Sequence, residues 1–393
     1  MKTIKSTLRS LTRNCVTLPL FATTLSILTA CSNPEKSGNI EPKLYFAVKT
    51  IGPSVNIQAI DHEGKLLKLT DDTKWRDLDM DISSKGDIVF VSNRKDNFKV
   101  DLNKHSESFD VFLLNAGTTQ PTQISTFEET ELTPKFSSNP KWLAFIKKGK
   151  EQNQLVLFDR EENTTQPIFS AKIINDFSWS PDGKQIAIAY NSDTYSNLSL
   201  YTLADGVMQP VLNMPLSAPT PDHKANDNDN IMKQIAYINW SPDQKSIAYI
   251  RNPIFRGTRQ LRLFNIENKS DQRISPEEVH AQNGVSWSPD NATLLYSGLV
   301  DYQFYYDEAA HKKVYRGGMH IFEHTIGGAS RQLTNGEHLF KMPTYSPGGD
   351  RIAYFYSDAL GERIYSLKTM DTQNGTTETL HDKVTPSSLL FWK

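Results

Sequence analysis

The chain has 393 residues, of which 38% are hydrophobic, 10% aromatic and 22% charged, with 43 Lys and Arg against 45 Asp and Glu for a net charge of −2. That is ample material for a large core, while the balance of charge excludes the strongly basic nucleic-acid-binding class and the composition excludes collagen-like and coiled-coil chains. Two cysteines make neither a disulfide framework nor a thiolate zinc site by themselves.

The chain opens on Lys2, Lys5, Arg9 and Arg13 with no acidic residue among them, followed by a mostly apolar or small run from Val16 to Ala30. The run is too short for a comfortable membrane span and reads as a secretory leader over residues 1–30. It ends in Leu28-Thr29-Ala30-Cys31, with leucine at −3, small residues at −2 and −1 and cysteine at +1. This ending resembles the bacterial lipoprotein signal, which implies cleavage before Cys31 and lipid on its side chain. An ordinary secretory leader with a chance cysteine is the other reading of the same residues. Loss of the leader takes Lys and Arg from 43 to 39 against 45 acids, a net charge of −6. That surface argues against nucleic acid and against electrostatic binding to anionic lipid, so the expected membrane link is the lipid anchor alone. Residues 31–43 are polar, carry two prolines and read as a flexible tether. Ser32 resembles the outer-membrane sorting pattern of Gram-negative lipoproteins, which implies the periplasmic face of that membrane.

From residue 44 to 393 a repeat dominates. Phe177-Ser178-Trp179-Ser180-Pro181-Asp182-Gly183 precedes an apolar run at 185–190, and Ile238-Asn239-Trp240-Ser241-Pro242-Asp243 precedes one at 246–250. Val285 to Asp290 and Thr344 to Gly349 repeat the phrase, and Met80–Ser84 and Lys135–Ser138 are degenerate copies. An apolar–polar–aromatic alternation is a strand buried on one side. Ser-Pro-Asp-Gly is a tight turn, because proline fixes φ, aspartate bonds the local backbone and glycine accepts a positive φ. The apolar run is the next strand, and two more candidates follow in each copy, so the unit is four antiparallel strands. The aromatic anchors stand 43 to 61 residues apart, and Trp392 is a last anchor with no strands after it. At the other end Leu44–Val48, Val55–Ile60 and Leu66–Leu69 are three strands with no anchor before them. Open ends would leave exposed strand edges. Pairing the terminal strand with the first three closes a seven-bladed, all-β propeller of four-stranded antiparallel blades; the two degenerate copies leave six or eight blades open.

These units resemble the TolB-type propeller repeat, and Val91 to Asn97 and Arg331 to Gly336 look like further phrases of that family. The resemblance spans roughly residues 44–393 and implies the fold more than the function. TolB carries an α/β domain ahead of its propeller, and nothing here resembles that domain. A partnership with another envelope protein is what the resemblance implies about setting.

In a four-stranded meander, the loops joining strands two and three share a face with the crossovers between blades. Three long insertions fall there: Asn93–Asp110, Pro215–Lys233 and Asp301–Gly318. Long insertions in compact domains are usually functional or disordered, so the three predict a binding rim. Its candidate residues are Arg94, Asp96 and Asn97, an anion site or a solvated turn; Asp227 and Asp229, in a loop with the composition of a calcium site but without the glycine and glutamate one needs; and Tyr302, Phe304, Tyr305, Tyr306, His311 and Tyr315, aromatics suited to protein or carbohydrate contacts or to packing on the next blade.

No Gly-x-Ser-x-Gly elbow, P-loop or dinucleotide glycine pattern is present. His320-Ile321-Phe322-Glu323-His324 matches a zinc pattern that needs a helix, but it aligns with third strands, where residues four apart stand roughly 13 Å from each other. A solvent-side strand face is expected for it. Oligogalacturonate lyases are similar in their Ser-Pro-Asp-Gly repeats and hold a metal with histidines, one of which precedes a Pro-x-x-Ser-Pro phrase. Here Met342 precedes Pro343, and His338 stands four residues before Met342. The expected function is therefore a lipid-anchored envelope propeller that binds an envelope protein or a cell-wall component, with no cofactor, no metal, no nucleic-acid partner and no catalytic residues. The alternative is a carbohydrate-active lyase or hydrolase at the channel mouth, which needs two of His223, His280, His311 and His338 near a carboxylate on the axis.

Overall fold

The computed structural model describes residues 43–94, 108–125, 129–216, 234–252 and 258–393. Among them the strands fall into seven four-stranded antiparallel groups. Blade one comprises β1 (Leu44–Lys49), β2 (Val55–Ile60) and β3 (Leu66–Lys68), and blade two β4 (Asp77–Ile82), β5 (Ile88–Ser92), β6 (Asp110–Leu114) and β7 (Thr122–Gln123). Blade three holds β8 (Thr130–Phe136), β9 (Trp142–Lys148), β10 (Asn153–Asp159) and β11 (Thr164–Ala171). Blade four holds β12 (Ile173–Trp179), β13 (Gln185–Asn191), β14 (Tyr195–Thr202) and β15 (Met208–Pro215). Blade five follows with β16 (Ile235–Trp240), β17 (Ser246–Arg251), β18 (Gln260–Asn265) and β19 (Asp271–Arg273). Blade six is β20 (His280–Trp287), β21 (Thr293–Asp307), β22 (Lys312–Thr325) and β23 (Ser330–Gln332). Blade seven is β24 (Leu339–Tyr345), β25 (Arg351–Ser357), β26 (Tyr365–Asp371) and β27 (Thr377–Val384), and the chain returns as β28 (Phe391–Trp392).

β28 pairs with β1, Leu44 opposite Trp392 and Tyr45 opposite Phe391, and so supplies the innermost strand of blade one. The ring closes in its packing too. Six clusters of buried side chains each join two neighbouring blades, and a seventh places Leu44, Phe46 and Val48 of blade one against Phe355, Leu367 and Leu390 and takes in Met319 of blade six. A strand between two neighbours is buried on both faces, which is why β2 and β5 have no exposed residue.

The turn chemistry follows the repeat. Ser180 Oγ donates to Asp182 Oδ1 (2.7 Å) and accepts from Gln185 N (2.9 Å). Ser241 with Asp243 and Ser288 with Asp290 do the same, and Ser346 uses Asp350. The left-handed position is Gly183 (φ 68°) in one copy but Gln244 (φ 64°) and Asn291 (φ 59°) in others. Glycine alone adopts this conformation without a steric cost of about 1–2 kcal/mol. Gln244→Gly is expected to raise unfolding stability by about 0.5–1 kcal/mol. Gly183→Ala is expected to lower it by more, because a Cβ there would meet Ser137 Oγ at 2.7 Å. Urea denaturation midpoints of the two variants check the opposite signs.

A second regularity is not written in the motif. The register shifts by a bulge in each of β4, β8, β12, β16, β20 and β24. Asp79, Thr133, Tyr237, Gly284 and Met342, each three residues before the anchor, take φ between 47° and 87°. A bulge kinks and twists a strand, and here it recurs at one level around the axis. The neighbouring edges are then tied by side chains. Phe136 N donates to Asp81 Oδ2 (2.8 Å), Ile238 N to Asp176 Oδ2 (2.9 Å), Trp240 N to Ser178 Oγ (3.2 Å) and Tyr345 N to Ser286 Oγ (3.1 Å), each across one blade boundary.

Candidate functional site

Because strands alternate in direction, the β5–β6, β17–β18, β21–β22 and β25–β26 connections lie on one face. The segment Asp301–Gly318, expected as a loop, is instead two strands. β21 and β22 stay paired out to Asp307 opposite Lys312, and the turn is left only residues 308–311. β20 stops pairing with β21 at Leu299, and β23 pairs β22 only from Phe322 to His324. Gln303–Asp307 and Lys312–Arg316 thus form a two-stranded arm with no third strand. The register explains the error: alternating Tyr302, Phe304 and Tyr306 is a strand pattern, but its flanking Asp, Gly and Lys residues read as turn.

The arm leaves the blade through a bulge between Val300 and Gln303, where Asp301 has φ 48° and Gly317 has φ 76°. A Cβ on Gly317 would lie 2.3 Å from the Asp301 carbonyl oxygen, so only glycine fits. One side of the arm is a ladder of rings. Phe304 stands opposite Tyr315 with ring centroids 5.0 Å apart, and Tyr302 lies 6.5 Å from Tyr315. Tyr315 rests on the backbone of Gly361 in the β25–β26 connection, where an added Cβ would be 2.8 Å from the ring. Burial, with Tyr315 and Tyr365 nearby, raises the Tyr302 hydroxyl above its usual range. Phe304 is 53% exposed and Tyr306 48%, while Tyr305 shows its ring on the opposite side. His311 sits in the turn with φ 48°. On the same face Ile364 and Ile51 are exposed in the loops of the next two blades. Exposed apolar groups assembled in this way mark contact surfaces.

The other rim residues are placed differently. Arg94 is held by Asp77, with Nη2 2.7 Å from both carboxylate oxygens, and lies 5.5 Å from the Phe90 and Phe112 ring centroids. Its guanidinium is therefore engaged at the root of its loop. Asp96, Asn97, Asp227, Asp229, His223 and Cys31, the residue expected to carry lipid, lie outside the described residues.

His320 and His324 do stand on a strand, but the expectation of a solvent-side face is corrected. They are 4% and 3% exposed. The third strand of a blade is packed from both sides, so period two could not tell which face met water. His324 Nδ1 lies 3.2 Å from Ser330 Oγ. The Nδ1 of His320 has no hydrogen-bond partner, and its ring lies 6.0 Å from that of Phe340. Burial, and His338 nearby, lower the His320 pKa; burial lowers that of His324. His338 stands against Tyr356 (3.3 Å from Nδ1 to the hydroxyl), while His280 is an exposed first residue of β20. Among the described residues no group of three His, Cys, Asp or Glu side chains is arranged to hold a metal ion.

No family model matches the chain. Over 177 residues it is 24% identical to dipeptidyl-peptidase 5 of Porphyromonas gingivalis, a stretch covering 42% of this chain and 21% of that one. The matches span about a fifth of the curated relatives' length (21% and 23%). The fold is similar to oligogalacturonate lyase from Vibrio parahaemolyticus, with 12% identity, 86% of this chain and 84% of the other covered, and a TM-score of 0.55. TolB from Acinetobacter baumannii aligns with 14% identity over 89% of this chain and 82% of its own, at a TM-score of 0.48. The β-propeller architecture is shared; at these identities the likeness concerns fold.

Proposed function

We propose that the chain is a lipid-anchored envelope propeller that binds a protein partner through the face carrying the β21–β22 arm. The observation that carries this reading is the arm itself, a ribbon that projects past its sheet with Phe304 and Tyr306 turned to solvent. Rigid amphipathic rings are the residues that dominate protein interfaces. β1 begins beside β28, at the turn-bearing end of the ring, and runs toward the arm-bearing face. Of the histidines named for a carbohydrate-active enzyme, His280 opens β20, His311 lies in the arm's turn and His338 precedes β24 beside Tyr356.

Phe304→Ala with Tyr306→Ala removes the exposed rings and leaves Tyr315 on Gly361. Crosslinked capture from an envelope extract at pH 7.5 is expected to lose at least about tenfold of the bound partner, as hot-spot aromatics predict, with the melting temperature unchanged. Equal capture by both proteins would remove the arm from the reading.

A further inference from the structure

At the arm's root the edges of two blades are joined by backbone, as Val55 and Arg76 join blades one and two through a parallel bridge. Met319 of β22 pairs in parallel with Leu339 of β24, and Met319 N donates to His338 O at 2.9 Å, so blades six and seven form one continuous sheet. The residues on either side of this joint are histidines, His320 following Met319 and His338 preceding Leu339. The joint is crowded. A Cβ on Gly318 would lie 2.7 Å from the Gly336 carbonyl oxygen and 2.8 Å from His320 Nε2, and one on Gly336 would lie 2.6 Å from the His338 ring. Directly beyond it are Gly317 and Asp301 with their positive φ, the point at which the arm departs.

We infer that His320 and His338 form an acid-sensitive latch that holds the arm against blade seven, and that protonation of His320 releases it. The inference rests on the arm being the binding element and concerns its regulation. A neutral imidazole suits the His320 site, which is 4% exposed and gives Nδ1 no partner. An imidazolium needs two acceptors, and the surroundings supply none that is charged. From β21 the opposing residue is Gly298. From β24 come the ring of Phe340 and, ahead of it, His338. From β25 come Tyr354 and Tyr356, packed on Phe340, with Lys368 of β26 above the Tyr356 ring at 4.1 Å. Asp358 lies near Tyr356. On β20, His280, opposite Leu299, is exposed, as is Glu337 in the approach to β24. On β22 itself Glu323 is taken by Arg331 and by the Tyr345 hydroxyl.

The sign follows from this placement. A histidine whose folded-state pKa lies below its ordinary value of about 6.5 contributes stability that is complete above that value and is lost as pH falls through the folded one. The proton is bound in the opened form, where the ring reaches water. Opening costs the Met319–His338 backbone bond and the seat of Tyr315 on Gly361, and the Gly317–Gly318 pair gives the strand the freedom to swing.

Amide exchange of the whole protein, read on peptides covering 300–320 and corrected for intrinsic rates, tests the latch without any partner. Between pH 7.5 and pH 5.0 the arm and root amides of the wild type are expected to exchange at least about tenfold faster, while β13 and β17 stay protected, since each pH unit between the ordinary histidine pKa of about 6.5 and the lower folded one favours opening up to about tenfold. His320→Phe and the less bulky His320→Gln are expected to hold the arm closed at both pH values. Equal wild-type protection at the two pH values, or an acid response that survives both substitutions, would overturn the latch. Partner capture at pH 7.5 reads the binding reading separately, because there the latch is closed.

Discussion

A chain ended after Ser387 is expected not to melt cooperatively, or to melt at least about 15 °C below the full chain, because it loses the strand that closes the ring. The loss can be itemised. Lys43 N donates to Lys393 O (2.6 Å) and Lys393 N to Lys43 O (3.0 Å), and Ala47 N donates to Ser388 Oγ (2.8 Å). Each is worth about 1 kcal/mol net. Leu390, 6% exposed in the cluster between blades seven and one, adds about 2 kcal/mol of burial, and Phe391 and Trp392 pack against the two clusters that blade one shares with its neighbours. Their sum, about 5–8 kcal/mol, is comparable to the whole stability of an ordinary domain. A synthetic peptide of residues 385–393 is expected to restore part of the transition when added in excess, since it carries the missing edge. Circular dichroism melts and limited proteolysis near β1 read both effects. A truncated chain melting within about 2 °C of the parent would mean that β28 ornaments the ring without closing it.

What could be read from residues alone was whatever one repeat unit encodes locally. Ser180, Pro181, Asp182 and Gly183 sit within one hydrogen-bonded turn, so their spacing fixed the hairpin, while the count of anchors pointed to seven blades and the two degenerate copies left six or eight open. Closure was legible because Trp392 lacked successors and Leu44 lacked a predecessor. The bulges escaped notice because an extra residue in a strand changes register without changing composition; Thr133, a β-branched residue at φ 51°, offers no local signal of it. The arm escaped because its hairpin extends past the blade, where no neighbour enforces burial and the period-two pattern is diluted by Asp, Gly and Lys. The latch escaped for a different reason. Its two histidines stand eighteen residues apart, and only the parallel pairing of Met319 with Leu339 brings them to one joint.

The axial tie at Asp176 is expected to be the costliest single side chain to remove. It stands where a bulge turns β12 and is 7% exposed. Oδ1 accepts from Lys135 Nζ of blade three (2.7 Å) and from Phe177 N (2.8 Å), and Oδ2 accepts from Ile238 N of blade five (2.9 Å). One carboxylate thereby joins three blades. Lys135 also donates to the Phe177 carbonyl and lies 5.1 Å from the Phe177 ring centroid. Asp176→Ala takes from that ammonium its carboxylate at 2.7 Å and removes the acceptor of two backbone N–H groups. Breaking such a pair from one side costs about 3–5 kcal/mol, and the lower half of that range applies because Lys135 is partly exposed. Asp176→Asn keeps one acceptor and is expected to lose about half as much. Lys135→Met alone removes the charge but keeps the stem over Phe177, at a cost of about 1 kcal/mol. In the double variant the ammonium left without its carboxylate is gone, so the combined loss is expected to fall short of the sum by at least about 1 kcal/mol. Urea denaturation of the four proteins measures that coupling. Strict additivity would place the stability of the axis in the backbone bulges and their edge bonds, with the ion pair a bystander.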